Sequence, residues 1–301
     1  MPKKKTEEHE RTYTMDQLRG VVNMGRESEA SMDQAVRFVV LVDPTCPRWL
    51  GEAVRDALMP ERDARVDVNE LKEAPAVVDT DSSVDIAVVL CGTSADLIRG
   101  AIRYFCGARH HTIVVAESAL DVPQTLMPSK LGQFVRTVVS SERGPLLERF
   151  SAAVLDSTEK DVSVAANFAF CREAATARLV SKCAARNALM GVADFIPGAG
   201  MPLMTMNQIN LAFDIAATYG KGLSIARVPE VIFVVSAGVC YRGLARFLTT
   251  GMPAFGLVVR CGLAYAGTLV TGRILHTHFK EGQRDAIDAA EVPLMVEASV
   301  V

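Results

Sequence analysis

Three continuous apolar runs in the first half of the chain indicate buried strands. Val or Ile dominates each run, and segments with helical periodicity separate them. The runs are Val36–Val42, Asp85–Cys91 and Thr112–Ala116, with a fourth at Val135–Val139, and the helix-like segments are Leu50–Leu58, Ala95–Phe105 and Pro145–Leu155. Uninterrupted apolar strands are typical of parallel sheets that helices cover on both faces. The pattern predicts a parallel α/β fold over residues 35–157, and any small parallel sheet would share it.

The second half of the chain has a helical pattern instead. Asp161–Met190 has the pattern of one long helix, and a Pro/Gly elbow beginning at Ile196 interrupts the helical pattern after it. A further helix is predicted from about Pro202, and Gly220 suits the left-handed residue that closes it. Apolar helices follow at Pro229–Leu248 and Pro253–His278. These segments predict an all-α apolar helical domain over residues 158–280, with a mobile charged arm at 1–34 and a tail at 281–301.

The helix after the elbow carries one polar stripe. Asn207, Asn210, Asp214 and Thr218 recur at spacings of three and four, and the other positions are mainly apolar. About 17 residues at ~1.5 Å each span ~25 Å, slightly less than the ~30 Å hydrocarbon core of a bilayer. The helix therefore suits either a protein interior or a membrane. If it is packed, the stripe must face water or matched polar groups, and Asp214 could pair with Arg242 or Arg260.

Arginines make the last two predicted helices marginal as membrane spans. They lie at positions 242, 246, 260 and 273. A central arginine costs roughly 2.5–3.5 kcal/mol on insertion scales. Small residues four apart, such as Gly262 with Ala266 and Thr268 with Gly272, allow close helix packing in either solvent.

An ordered set of residues surrounds the Pro/Gly elbow. It consists of Pro197, Gly198, Ala199, Pro202, Thr205, Gln208, Asp214, Ile215, Ala216, Tyr219 and Gly220. This set resembles the YcjF-type domain of unknown function 697, a helical domain that follows the G domain in some Era-like GTPases. The resemblance covers roughly residues 165–280, and Gly200 stands where that family usually has an acidic residue. It implies association with a membrane and no settled biochemical activity.

Residues 35–157 then suggest a Rossmann-like or G-domain-like fold without its nucleotide. A P-loop needs Gly-x4-Gly-Lys-Ser/Thr after the first strand, and the chain has Asp43-Pro-Thr-Cys-Pro-Arg-Trp-Leu50 there. Trp49 replaces the lysine, and Pro44 and Pro47 remove amide donors. An anion would meet the Asp43 carboxylate. If a ligand binds at all, the carboxyl ends of the strands are where it is expected, around Asp43, Thr45, Gly92, Thr93 and Ser94.

A basic stripe precedes the elbow. Arg178, Lys182 and Arg186 follow one another at spacings of four, with Arg172 nearby. The stripe is either a solvated helix face or a contact surface for anionic headgroups or a protein partner.

Composition excludes several classes of function. A net charge of −3 gives no signal for nucleic-acid binding. The seven cysteines never form Cys-x-x-Cys, which argues against a disulfide framework or a zinc site. Common catalytic and dinucleotide motifs are missing, so no catalytic residue, cofactor or metal is predicted.

Cys46 beside Arg48 is a candidate low-pKa thiol without a partner histidine, and an inert cysteine is the simpler interpretation. The N-terminus has no apolar signal segment.

These observations favour a non-catalytic, membrane-associated scaffold or adaptor on the cytoplasmic side of the cell membrane. Its α/β part would be pseudo-GTPase-like, and it would bind a protein partner. One alternative is an enzyme or nucleotide-binding switch with an unrecognised site at the strand ends. Another is a soluble structural protein whose apolar helices bury one another in a homo-oligomer.

Overall fold

The computed structural model describes residues 19–72, 84–124, 129–193, 200–222 and 256–298 of the 301-residue chain. Two compact units make up the chain: Met32–Ala175, and a second that joins Met1–Ser31 to Thr176–Val301. The first described element, helix α1, covers residues 19–32.

The unit Met32–Ala175 contains five strands in one all-parallel sheet of order β2-β1-β3-β4-β5. The strands are β1 (Arg37–Val42), β2 (Arg65–Glu70), β3 (Ile86–Leu90), β4 (His111–Ala116) and β5 (Val135–Val139). The helices are α2 (Arg48–Ala57), α3 (Ala95–Gly107), α4 (Ser129–Gly132), α5 (Arg143–Asp156) and α6 (Asp161–Asn167), with 3-10 turns at Ala119–Asp121 and Ala169–Cys171. The predicted parallel α/β sheet is confirmed, and the four apolar runs correspond to β1, β3, β4 and β5.

Each face of the sheet carries its own hydrophobic core. Leu50 of α2 and Phe150 of α5 pack with Phe38 on one face. Ile98 and Phe105 of α3 belong to the core on the other face. All five residues of β3 are buried between the two cores, which explains why this strand has an uninterrupted apolar sequence.

Sequence analysis did not predict β2, because this edge strand has no uninterrupted apolar run. Its sequence Arg-Val-Asp-Val-Asn-Glu alternates, and none of its residues is fully buried. Asp67 accepts hydrogen bonds from the guanidinium groups of Arg37 and Arg65, at 2.9 and 2.8 Å. An edge strand needs only partial burial and tolerates such charges.

The single helix predicted over Asp161–Met190 is wrong, because the chain breaks after α6. Phe168 has extended backbone angles, φ −127° and ψ 106°, and its ring packs edge-to-face on Phe38 with centroids 5.1 Å apart. The Asn167 carboxamide oxygen accepts the Ala64 N–H at 2.9 Å, and its backbone carbonyl accepts the Glu61 N–H at 2.8 Å. These contacts hold α6 in the α/β unit, which therefore extends to Ala175 rather than ending at residue 157.

The described part of the second unit is helical. It includes most of α7 (Arg172–Ala193), α8 (Gly200–Thr218) and α9 (Gly256–Ala298), together with α1. Its core is formed by Val180, Cys183, Ile209, Leu211, Ala212, Phe213, Ile215, Ala216, Tyr219, Leu275 and Phe279. Val21 and Met24 of α1 pack against this core, so residues 19–32 are not part of a free arm. Residues 281–298 continue α9 where the sequence predicted a tail.

Several predicted features of the second half lie outside the described residues. They include Pro197 and Gly198 of the elbow and the whole predicted helix Pro229–Leu248. Within the described ranges, no helix combines the length and the apolar character needed to cross a membrane.

Small residues do bring helices together in the second unit. A Cβ placed on Gly272 of α9 would lie 2.4 and 2.6 Å from the two γ-methyl carbons of Val180 in α7. Gly262, ten residues earlier on the same helix, has nothing within 4 Å of such a Cβ. Close approach of α7 and α9 therefore depends on Gly272 and not on Gly262.

We expect Gly272→Ala to lower the free energy of unfolding by about 1–2 kcal/mol, since overpacking outweighs the better helix propensity of alanine. Gly262→Ala is the matched control and should be neutral or stabilising by up to ~1 kcal/mol. Urea-induced unfolding measures both. Equal effects of the two substitutions would contradict the close contact with Val180.

Candidate functional site

The sheet has a topological switch point between β1 and β3. These strands are neighbours, yet α2, which follows β1, and α3, which follows β3, cover opposite faces. In open parallel sheets the crevice outside the carboxyl ends of two such strands is the usual ligand site. The structure places all five residues of the predicted ligand loop in this crevice.

The Asp43 carboxylate occupies the centre of the crevice and accepts five hydrogen bonds. Its Oδ1 accepts the Thr45 N–H at 3.0 Å, the Thr45 hydroxyl at 2.9 Å and the Ser94 hydroxyl at 3.0 Å. Its Oδ2 accepts the N–H groups of Gly92 and Ser94, at 3.2 and 2.9 Å. Asp43 is 1% exposed, so both oxygens are satisfied inside the protein.

Thr45 and Gly92 bring the two loops into direct contact. The Thr45 hydroxyl oxygen accepts the Thr93 N–H at 2.7 Å and the Thr93 hydroxyl at 3.0 Å. A Cβ on Gly92 would lie 2.3 Å from the Thr45 hydroxyl oxygen and 2.6 Å from its carbonyl carbon. Glycine is therefore required at position 92 for a close approach of backbone to backbone.

Burial alone would raise the pKa of Asp43. The hydrogen bonds from Thr45 and Ser94 outweigh it and hold the pKa of this carboxyl below its ordinary value. Asp43 is thus a stable anion. It lies at the start of α3, whose N-cap residue Ser94 makes no capping hydrogen bond with its own side chain.

This arrangement occupies the backbone donors of the loop after β3. The backbone donors of Gly92, Thr93 and Ser94 already point at side chains of the first loop. Trp49, at the position of a P-loop lysine, instead donates its indole N–H to Glu117 at 3.0 Å. A second anion here would be repelled by the Asp43 charge and would find its donors occupied.

Cys46, in the same loop, is not an activated nucleophile. Burial, followed by the negative charge of Asp43, raises the pKa of its thiol to about 11. Arg48 does not offset this effect, because it pairs with Glu52 at 2.8 Å. The nearby charge that matters is negative, so the structure favours the inert cysteine over the low-pKa thiol.

The basic stripe of α7 is only partly as predicted. Lys182 and Arg186 are exposed and Arg178 is half-buried. Arg172, which the sequence placed beside them, is 6% exposed and pairs with Glu61 of the α/β unit, while its Nε donates to the Ala165 carbonyl at 3.2 Å. Three cations therefore remain as a candidate contact surface.

The polar stripe of α8 meets matched polar groups on other helices. Asp214 accepts the Ser28 hydroxyl of α1 at 2.5 Å and the Asn210 amide at 3.1 Å. The two partners that the sequence suggested, Arg242 and the side chain of Arg260, lie outside the described part of the chain, so their pairing with Asp214 stays a prediction. Burial raises the pKa of Asp214, and the Ser28 hydrogen bond opposes this effect. Ser28 was missed because it lies in a stretch that sequence analysis assigned to a mobile arm.

A second polar chain crosses this unit through Asn187, which sequence analysis also missed. Asn207 of α8 donates to the Asn187 carboxamide oxygen at 3.1 Å, and the Asn187 amide donates to Thr268 of α9 at 2.9 Å. Asn187 and Thr268 are completely buried. Three helices are joined in this way, and the stripe has a structural role.

The remaining motif residues are also structural where they are described. Gln208 is 7% exposed, and the Tyr219 hydroxyl lies 3.0 Å from His276 Nδ1. Gly220 has φ 69°, as expected for the left-handed residue after α8. Pro202 lies in the first turn of α8, which begins at Gly200. Across the described ranges, His, Cys, Asp and Glu form no cluster able to hold a metal ion.

Comparisons of the chain with models of known protein families and with curated proteins gave no match.

We expect Asp43→Asn to lower the free energy of unfolding by about 2–3 kcal/mol at pH 7, since it leaves buried donors facing an amide N–H. The pKa of Asp43 is depressed in the folded state, so its contribution is fully present above about pH 4 and is lost as the pH falls through the folded pKa. The difference between parent and variant should therefore shrink in acid.

Urea unfolding at neutral and acidic pH measures this difference. Asp96→Asn is the matched control, because the Asp96 side chain is 95% exposed and the change should have little effect. A destabilisation by Asp43→Asn that does not depend on pH would show that the charge of Asp43 is not what stabilises the crevice.

Proposed function

We propose that this chain is a non-catalytic, membrane-associated scaffold or adaptor whose α/β unit is a nucleotide-free, pseudo-GTPase-like domain. The observation that carries the proposal is the Asp43 carboxylate, which takes up the donors at the switch point of the sheet. With these donors taken up inside the protein, the outer surface of the α/β unit is the surface we assign to partner contacts.

The second part of the proposal is a YcjF-type apolar helical domain after the α/β unit. Its support is the ordered set of residues from Pro197 to Gly220, together with the small-residue contact between α7 and α9. Members of that family are associated with membranes, and the cytoplasmic side of the cell membrane is the corresponding location for this chain.

Arg178, Lys182 and Arg186 are the residues we assign to contact with the membrane surface. They follow one another at spacings of four along α7, so they share one side of the helix. Each cation close to an anionic lipid surface contributes about 1 kcal/mol of binding free energy. Three such cations can hold a protein reversibly at a headgroup layer, with apolar contacts adding to their effect.

We expect the full chain to sediment with vesicles that contain phosphatidylserine. Replacing Arg178, Lys182 and Arg186 with Gln should weaken this binding on the order of 100-fold, from about 1 kcal/mol per cation. The matched control replaces Arg48, Arg103 and Lys130, three exposed cations of the α/β unit, with Gln and should bind as the parent does. If both triple variants bind equally well, Arg178, Lys182 and Arg186 do not form the membrane contact.

A second arm of the experiment uses equilibrium dialysis with labelled GTP or ATP and magnesium. We expect no saturable binding, because Asp43 and Trp49 stand where glycine and lysine are needed. Saturable binding in the micromolar range would overturn the nucleotide-free domain and favour a ligand-operated switch. The two arms fail independently, so each part of the proposal is tested separately.

A further inference from the structure

An open apolar cleft lies between α2 and the edge strand β2. Its volume is about 660 Å³, and its apolar walls include Val40, Val42, Val54, Leu58, Val66 and Val68. Val68 is 62% exposed and Met59, also on the cleft, is 65% exposed. Valines on a strand normally pack beneath a helix, so this uncovered surface is unusual for a sheet core.

The backbone of β2 is also open on its outer side. Arg65 N–H donates to the Val36 carbonyl and Leu71 N–H to the Val42 carbonyl, both at 2.9 Å. In a parallel ladder alternate residues bond to the same neighbour, so the odd-numbered residues of β2 face β1. Val66, Val68 and Glu70 direct their N–H and C=O groups outward, where the described part of the chain provides no further strand.

We propose that this edge pairs with the same edge of a second copy of the chain, antiparallel about a two-fold axis at Val68. The three outward-facing residues are symmetric about Val68. Val68 would therefore exchange both backbone hydrogen bonds with Val68 of the second copy, and Val66 would do so with Glu70. The two five-stranded sheets would become one.

Charge and side-chain placement favour this register. It sets Asp67 opposite Asn69 and brings no like charges face to face, whereas a register centred on Asp67 would oppose two carboxylates. The Glu70 carboxylate already has a cation nearby, with Lys72 Nζ at 3.6 Å. Val68 would meet its own copy on the cleft side of the sheet, so the two apolar clefts would join and cover each other's valines.

The inference does not depend on membrane binding or on the absence of nucleotide. We name a second copy as the partner because the outward N–H and C=O groups of this edge, and its charges, match those of the same edge in a second copy. A dimer of the α/β unit would also give a scaffold two equal sets of partner contacts.

Cysteine cross-linking tests the register directly in the full chain. Paired residues of this type have Cα atoms about 5.5 Å apart, which suits a disulfide. Val68→Cys should therefore form a dimer linked at position 68 under mild oxidation, identified by mass spectrometry of the joined peptide. Val66→Cys is the matched control and should not link to itself, whereas the double variant Val66→Cys/Glu70→Cys should link position 66 to position 70.

Sedimentation velocity then tests the dimer without cross-linking. The parent should dimerise with rising concentration, and Val68→Lys should weaken dimerisation by ~10-fold or more, since it sets two cations face to face. Leu120→Lys, at a 94% exposed position of the same unit, should leave dimerisation unchanged. A monomeric parent at every concentration would overturn the proposal. Equal cross-linking of Val66→Cys and Val68→Cys, or a Val68→Lys dimer as stable as the parent's, would also overturn it.

Discussion

The α/β unit depends on one buried carboxylate. Asp43 follows β1 and accepts hydrogen bonds from the loop after β3, so a single side chain ties the two central strands together beyond their last ladder bond. It also supplies negative charge at the start of α3, where the helix dipole stabilises an anion.

In the helical unit, hydrogen bonds between polar side chains also join one element to another. α8 is mostly apolar, and its half-buried polar residues Asn207 and Asp214 form hydrogen bonds with Asn187 of α7 and Ser28 of α1. Buried polar groups that are matched in this way fix which helices meet and in which register. Gly272 allows the close approach of α7 and α9 beside this network. In both units, polar residues that resembled functional candidates act by joining one element to another.

Sequence reasoning found the parallel sheet because β1, β3 and β4 are buried on both faces and must be apolar throughout. It also located Asp43 and Gly92 at one edge, since the carboxyl ends of parallel strands converge there. It missed β2, whose edge position permits charges, and the break at Phe168, which depends on contacts with residues more than a hundred positions earlier. It also misjudged Arg172, because the burial of this side chain and its pairing with Glu61 come from the fold.

Chemical rescue of Asp43→Ala tests the central claim most directly. The substitution removes the carboxylate and leaves a space that formate fits, while the donors of Thr45, Gly92 and Ser94 stay in place. Thermal unfolding at pH 7 is compared in sodium formate and in sodium chloride of equal ionic strength. The account predicts that formate raises the Tm of Asp43→Ala and leaves that of the parent and of Asp96→Ala unchanged. A formate effect of equal size on all three proteins would contradict it.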